Sequence, residues 1–388
     1  MTPQPLILVL MACGPVQFQR HEIDAFPAGY QVAVADVNAD GRPDVIALST
    51  EADRVDWYEN PTWQRRPVAR TDKNIDLAAY DIDGDTRLEL ALAGGFYFNE
   101  SRRGGEIYLL RQPTAEDVPW TRHRIAADPV THRVRWADLD GDGRKELVHV
   151  PLFGPGSEGA RAPRPAHLWA FAVPPHFPSG KLEVWKIDET LTVVHGVHIG
   201  DLDGDGREEI LTASYEGIFR FDLEGPLAEG RWIKKQIAAG APPVSNEPGA
   251  ARGSSEVAVG RLPDGRSFLA AIEPWHGHQV VVYLPQDGPD GWRRCVLDES
   301  LREGHALVVA DLDRDGRDEL VAGWRGAGGG LTLYDSSDSK ASGFHAVPLD
   351  RQIAVEGLAV ADLNGDGRSD LVAVAGRSNK LVWYENRP

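Results

Sequence analysis

Asp201-Leu-Asp-Gly-Asp-Gly-Arg-Glu-Glu209 decides the fold, because the chain keeps returning to it. Close copies are Asp36-Val-Asn-Ala-Asp-Gly-Arg-Pro-Asp44, Asp81-Ile-Asp-Gly-Asp-Thr-Arg-Leu-Glu89 and Asp138-Leu-Asp-Gly-Asp-Gly-Arg-Lys-Glu146. Two more are Asp311-Leu-Asp-Arg-Asp-Gly-Arg-Asp-Glu319 and Asp362-Leu-Asn-Gly-Asp-Gly-Arg-Ser-Asp370. A degenerate copy, Gly260-Arg-Leu-Pro-Asp-Gly-Arg-Ser-Phe268, fills the long gap before Asp311. The copies start at 36, 81, 138, 201, 260, 311 and 362, so the period is 45 to 63 residues. A period of this size marks a fold that repeats one supersecondary unit.

Each repeat has the same grammar. An alternating apolar run such as Val32-Ala-Val-Ala35 leads into the acidic loop, and a second run such as Val45-Ile-Ala-Leu48 leaves it. That pattern is two strands joined by a tight connection. A third, aromatic-bearing run follows, as in Val55-Asp-Trp-Tyr58 or Leu381-Val-Trp-Tyr384, and then a fourth, as in Trp232-Ile-Lys-Lys-Gln-Ile237. Four strands repeated seven times predict an all-β fold, a seven-bladed β-propeller over residues 14–388. The last repeat stops after its third strand, while Val16-Gln-Phe-Gln-Arg-His-Glu-Ile23 is a strand without a repeat. Pairing those two closes the ring and removes the exposed sheet edges of an open stack. The coils of an open β-solenoid are shorter than this period.

The loops carry oxygen ligands at positions 1, 3, 5 and 9, and calcium takes six to eight such ligands. The expected ligands are Asp36, Asn38, Asp40 and Asp44; Asp81, Asp83, Asp85 and Glu89; and Asp138, Asp140, Asp142 and Glu146. In the later loops they are Asp201, Asp203, Asp205 and Glu209; Asp311, Asp313, Asp315 and Glu319; and Asp362, Asn364, Asp366 and Asp370. Gly at position 6 permits the left-handed turn that curls the loop around an ion. Thr86 stands there in the second loop, which is expected to be strained or weaker. The fifth copy has lost positions 1, 3 and 9 and is expected to hold no ion. Up to six structural Ca²⁺ are therefore expected. An EF-hand is excluded, because the flanks are strands. The loops resemble those of the FG-GAP or VCBS repeat family, also found in integrin α subunits, and the resemblance covers nearly the whole chain.

The chain has 388 residues and a formal net charge of −18. That acidity argues against nucleic acid or an anionic membrane surface as partner. It is concentrated in the loops, so it describes metal ligands more than it describes a partner. Residues 6–12 form an apolar run too short to span a bilayer but suited to a signal-peptide core. Leu10-Met11-Ala12-Cys13 resembles a bacterial lipoprotein signal, although Met1–Pro5 carries no Lys or Arg. Residues 1–13 are thus read as a signal segment, the protein as exported, and contact with a membrane as limited to a lipid anchor at Cys13. Cys295 is then alone and reads as a half-buried structural thiol.

Propellers bind ligands at one mouth of the central channel, on the loops flanking the innermost strands. The residues preceding those strands include His132, Arg133, His195, His198, Glu256, His305 and Glu356. The loops after the second strands supply Tyr97, Tyr215, Trp275, His276, His278, Trp324 and Arg325. Neutral imidazoles bind divalent metals or act as bases, and Trp275 and Trp324 offer faces on which a sugar can stack. Tyr97, Tyr215 and His278 are further candidates for contact with substrate.

Thr131-His-Arg-Val-Arg-Trp-Ala-Asp138, Pro151-Leu-Phe-Gly154, Val194-His-Gly-Val-His198 and Gly304-His-Ala-Leu307 resemble the propeller domain of the aldos-2-ulose dehydratase family. The resemblance implies metal-assisted β-elimination on a keto-sugar such as 1,5-anhydrofructose. The chain has no room for the cupin domains of the fungal enzymes, so an isomerase step is not expected. Under this reading His195, His198 and His305 hold a central Mg²⁺ or Zn²⁺. Glu256 or His276 is the base, His132 is a further catalytic candidate, and Arg133 and Arg325 orient oxygens. A non-catalytic carbohydrate-binding propeller and a protein-interaction propeller remain open. The mouth residues differ from blade to blade, which suits one asymmetric site better than a repeated lectin site.

Overall fold

The computed structural model describes residues 16–114, 118–262, 264–286, 291–336 and 344–387. Cys13 and the expected signal segment lie outside them. The chain forms seven four-stranded antiparallel sheets, the blades of a propeller. Blades 1 to 6 each use four consecutive strands, and the innermost strands are Gly29–Ala35, Asp76–Tyr80, Thr131–Ala137, Gly196–Gly200, Glu256–Arg261 and Gly304–Ala310. Blade 7 contains Gly357–Ala361, Asp370–Ala375 and Lys380–Arg387, and its fourth strand is the N-terminal Gln17–Asp24. That strand pairs antiparallel with the last one, Gln17 opposite Arg387 and Val382 opposite Glu22, so the ring closes as its two ends predict.

The second strand of each blade is the driest. Asp44–Ser49, Glu146–Pro151, Glu209–Ser214 and Asp370–Ala375 are buried at every position. Neighbouring blades cover both faces of such a strand, so it reads as an unbroken apolar run instead of an alternating one. The core is accordingly a set of clusters between adjacent blades, such as Leu168, Ala170, Val194, Ile210 and Phe221 between blades 3 and 4. Repeated polar staples tie blades together. Tyr58, Tyr334 and Tyr384 donate to Asp24, Asp298 and Asp350 at 2.7, 2.8 and 2.9 Å, each carboxylate ending the fourth strand of the preceding blade. Asn60 and Asn386 donate at 2.6 Å to the carbonyls of Leu363 and Leu312 in the preceding blade's acidic loop.

The N-terminal strand carries three such ties: Asp24 to Tyr58, Arg20 to Asp350 at 2.9 Å, and His21 to Glu385 at 2.8 Å. Deleting residues 16–24 opens the ring and bares the edge of Lys380–Arg387. Calorimetry and light scattering are expected to show a melting point lower by roughly 10 °C and concentration-dependent association.

Each inner strand runs from the channel mouth to its acidic loop, so the acidic loops lie at the opposite end of the channel. Position 1 of each intact loop accepts the backbone N–H of position 6, from Gly41, Thr86, Gly143, Gly206, Gly316 and Gly367, at 2.8 to 3.1 Å. Thr86 takes the same left-handed turn as those glycines, at φ 70°, a strained conformation for a β-branched residue. Position 9 is buried in every intact loop and accepts the N–H of position 2. Asp44 and Asp370 differ from the glutamates. Their shorter side chains accept backbone N–H groups on both oxygens, from Val37 and Asn60 and from Leu363 and Asn386. In those two loops position 9 is thus a backbone staple before it is an ion ligand. Asp201, Asp203, Asp205 and Glu209 converge within 4.8 Å, as do the first three acids of the loops at 81, 138 and 311. In the degenerate copy Phe268 replaces the acid and joins the core, 1% exposed. Among the described residues no helix is long and apolar enough to cross a membrane, and Cys295 is a free, half-buried thiol.

Candidate functional site at the channel mouth

One residue per blade stands where the inner strand begins, at the channel mouth: Tyr30, Ile75, His132, His195, Ser255, His305 and Glu356. In the six intact repeats it stands six residues before the first Asp of the loop. Its N–H is bonded to the second strand in the same way in several blades, as from Ile75 to Ala93, His195 to Ala213 and Glu356 to Val374. In blades 1, 3 and 6 this residue is the extra one of a β-bulge, between Gly29 and Gln31, Thr131 and Arg133, and Gly304 and Ala306. A bulge re-aims one side chain without losing the ladder. The chain two residues earlier is left-handed at Ala28, Val130, Val193 and Glu303, with φ 50°, 62°, 48° and 54°. Valine is unfavourable there, and such strain persists where the surroundings over-determine it. Gly196 and Gly357 follow two of these residues. A Cβ at Gly196 would meet the Ser255 carbonyl at 2.7 Å, and one at Gly357 would meet Gln31 at 2.6 Å, so both glycines let neighbouring blades close tightly at the axis.

The imidazoles converge. The His195 ring lies 4.6, 4.7 and 5.1 Å from the rings of His132, His276 and His305. His276 comes from the loop after Ser267–Glu273, itself left-handed at φ 47°. One nitrogen each of His195, His276 and His305 lies within 4.8 Å of the others. His195 Nδ1 faces two acceptors, the Ser255 carbonyl at 3.1 Å and Glu256 Oε1 at 2.8 Å. His305 Nδ1 faces the Glu356 carbonyl at 2.6 Å. Both Nδ1 atoms therefore carry the proton, and both Nε2 atoms present a lone pair, the arrangement that orients metal-binding histidines. His276 Nδ1 faces Arg325 at 3.4 Å, and its Nε2 lies 2.9 Å from His195 Nε2. That contact is a hydrogen bond from His276, so a cation would take the place of its proton. Burial, reinforced by Arg133 or Arg325 nearby, holds all four rings well below the usual imidazole range. They are neutral and able to coordinate.

Two arginines and two carboxylates surround the rings. Arg133 donates to Glu256 at 3.3 Å, and Arg325 donates to Glu356 at 2.8 Å. Desolvation pushes Glu256 up to about 7 and also raises Glu356, against the pull of the arginines. Tyr30 Oη lies 3.0 Å from His305 Nε2 and 3.4 Å from His132 Nε2. The mouth opens into a cavity of about 750 Å³ whose wall includes Tyr30, Glu356, Phe96, Tyr97 and Phe98. A second cavity of about 300 Å³ continues down the channel past Glu256, Arg133, Arg135 and His198.

The structure brings His132, His195, His276, His305, Arg133, Arg325 and Glu256 together. It does not bring His198, which lines the channel below; burial and then Arg135 lower it to about 4. His276 takes the place expected for His198, because three residues of strand at ~3.3 Å each carry His198 about 10 Å past His195. Of the expected sugar platforms, Tyr97 lines the open cavity. Tyr215 and Trp275 pack into an apolar cluster with Val130, Leu152, Phe153 and Val193, and Trp275 stacks on His276 at 4.5 Å. Trp324 turns into the core beside blade 5, against Gly330. His278 stands outside the imidazole group. Tyr30 is the residue that reading for imidazoles and exposed aromatics misses, while Glu356 stands at the mouth as its place before the inner strand predicts.

Fold and repeats define the class, a seven-bladed propeller of FG-GAP-like repeats: residues 36–92 and 311–373 match the FG-GAP-like repeat family model. Residues 104–286 match the family model of the aldos-2-ulose dehydratase β-propeller domain. The chain is 26% identical over 359 residues to the aldos-2-ulose dehydratase of Phanerodontia chrysosporium, covering 84% of this chain and 38% of that protein. It thus spans about two fifths of the length of the curated relative it matches. These matches bear out both family resemblances read from the motifs. Among solved structures, an Agrocybe aegerita lectin specific for non-reducing terminal N-acetylglucosamine aligns at TM-score 0.52 and 14% identity, covering 92% of this chain and 86% of the lectin. BBS1N, solved in complex with ARL6DN, aligns at 0.54 and 13%, covering 95% and 96%. At such identity these likenesses show the fold.

Proposed function

We propose that the channel mouth is the active site of a carbon–oxygen lyase that eliminates water or an alcohol from a keto-sugar with the help of a divalent cation. The observation that carries the reading is the convergence of three neutral imidazole nitrogens within 4.8 Å beside a cavity of about 750 Å³. The similarity to aldos-2-ulose dehydratase supports the same chemistry. His195, His276 and His305 would hold the cation, Mg²⁺ or Zn²⁺, which supplies the positive charge that polarises a ketone and acidifies the adjacent C–H.

The chain's own groups divide the remaining work. Glu356 faces the cavity with a raised pKa and accepts the α-proton. Glu256 lies on the channel side and holds His195 through Nδ1, so it positions a ligand instead of acting as base. Tyr30 Oη delivers a proton to the departing oxygen, and Arg133 and Arg325 keep the carboxylates in place. Two cations balance two carboxylates, which suits a neutral polyol. Tyr30→Phe is expected to retain bound metal and lose about 100-fold in turnover, within the usual range for a proton-transfer group. Metal analysis alongside enone absorbance checks this.

The deciding experiment screens keto-sugars, 1,5-anhydrofructose first, for enone absorbance with the metal-loaded protein. Sugar binding without turnover would replace this reading with the carbohydrate-binding one. The acidic loops at the far end are proposed to hold structural Ca²⁺, and export to a calcium-rich compartment fits sites of modest affinity.

A further inference from the structure

We propose that the substrate is a glycoside of at least two sugar units, whose departing unit occupies the cavity over blades 7, 1 and 2; this rests on the lyase reading above. The mouth is lopsided. Its imidazoles come from blades 3, 4, 5 and 6, whereas the cavity is walled by connections of blades 7, 1 and 2. On the other side Leu152, Phe153, Tyr215 and Trp275 pack together from the connections that follow the second strands of blades 3 to 5. None of these imidazoles lines that cavity, so a ring placed against them leaves most of it free.

The free space has the size and chemistry of a sugar subsite. About 750 Å³ lies within the range of pockets that bury whole ligands and exceeds what one hexose needs. Phe96, Tyr97 and Phe98 give it an aromatic wall, and Asn99 adds an amide. Tyr97 is held in place: Arg103 covers one face at 3.8 Å, its hydroxyl donates to Asp72, and Gly104 packs on its edge. The cations lining the cavity, Lys73 and Arg377, are paired with Glu51 and Glu303. An anionic ligand finds no unpaired cation on that lining, while a neutral polyol finds an aromatic face and hydrogen-bonding edges.

Tyr30 and Glu356 stand where imidazoles and cavity meet, so the bond between the two units would lie beside them. The step balances without an oxidant. The α C–H breaks and its proton goes to Glu356, the electron pair forms the C=C bond, and the glycosidic C–O bond breaks. The departing oxygen takes a proton from Tyr30 and leaves as a free sugar.

Calorimetry of the intact, metal-loaded chain with unoxidised probes tests this. Maltose or cellobiose is expected to bind at least tenfold more tightly than glucose. Tyr97→Ala should cut that advantage to about threefold, whereas Tyr97→Phe, which keeps the ring, should preserve it and guards against mere misfolding. Equal affinity of glucose and both disaccharides, with 1,5-anhydrofructose still turned over, would overturn the two-unit substrate and leave the lyase standing. If no sugar binds or reacts, both fall.

Discussion

His195→Ala is expected to abolish stoichiometric binding of the central cation and to lower turnover by about 10³-fold. A cation that stabilises developing charge is worth several kcal/mol, and each 1.36 kcal/mol is a factor of ten in rate. His195 carries the largest effect because it is the hub. Its ring contacts His132, His276 and His305, and its Nδ1 is held by both Ser255 and Glu256. His305→Ala and His276→Ala should also lose the cation, with a smaller fall in turnover. Glu256→Gln, at a residue that meets His195 at its far nitrogen and accepts from Arg133, should weaken the cation by about 10–100-fold, as outer-shell partners do. His198→Ala is the discriminating control: it lies down the channel and should leave metal content intact. Elemental analysis of each purified variant, with circular dichroism to confirm the fold, reads this directly. Full metal content in His195→Ala and His305→Ala together would remove the metal centre from the account.

The blades are legible in the chain because a period of 45 to 63 residues repeats both the acidic loop and the strands on either side. Closure is legible because an unmatched strand at one end answers a missing strand at the other. The axial ring is legible in a subtler way. Counting six residues back from the first Asp of each intact loop lands on Tyr30, Ile75, His132, His195, His305 and Glu356. Reading for imidazoles finds three of them and passes over Tyr30, because a tyrosine before a strand looks like core. The exchange of His198 for His276 has another origin. Strand geometry places His198 far along the channel, but nothing local announces that the Glu273–His278 loop folds back on the axis. That course depends on the left-handed His276 and on Gly277, whose Cβ would strike the Glu273 backbone at 2.3 Å. Tyr215, Trp275 and Trp324 failed as open platforms for a similar reason. Large aromatic rings at loop ends are drawn into whatever apolar contact is nearest, and Val130, Leu152, Phe153 and Val193 supply one for Tyr215 and Trp275.

Chelation is expected to lower the melting temperature by 10 °C or more, with Ca²⁺ restoring it and Mg²⁺ failing to. The charge distribution gives the reason. The net charge is −18, and the six intact loops hold 24 acids against 8 Lys and Arg, which leaves 35 acids against 33 bases in the rest of the chain. In the loops, carboxylates are forced together: Asp201, Asp203, Asp205 and Glu209 lie within 4.8 Å. Their partial relief comes from loop N–H groups and from arginines such as Arg220, which reaches Asp203 and Glu209, and Arg111, which reaches Asp83 and Glu89. A divalent cation relieves the rest, and a site filled at a hundredfold above its dissociation constant adds about 2.7 kcal/mol to the folded state. Mg²⁺ is too small and too firmly hydrated for a loop of this span. The loops should not contribute equally. Asp205→Asn removes a ligand where four acids converge and is expected to cost most, whereas Asp370→Asn should act mainly through lost backbone staples and be as harmful without Ca²⁺ as with it. Asp264→Asn in the degenerate copy should cost little in either condition, because Leu262 and Phe268 have replaced acids with core and Asp264 pairs with its near neighbour Arg266. Calorimetry of the three variants with and without EGTA separates ion binding from backbone stapling. An unchanged melting point under EGTA, or a loss at Asp264 equal to that at Asp205, would show that the acidic loops hold themselves together without calcium.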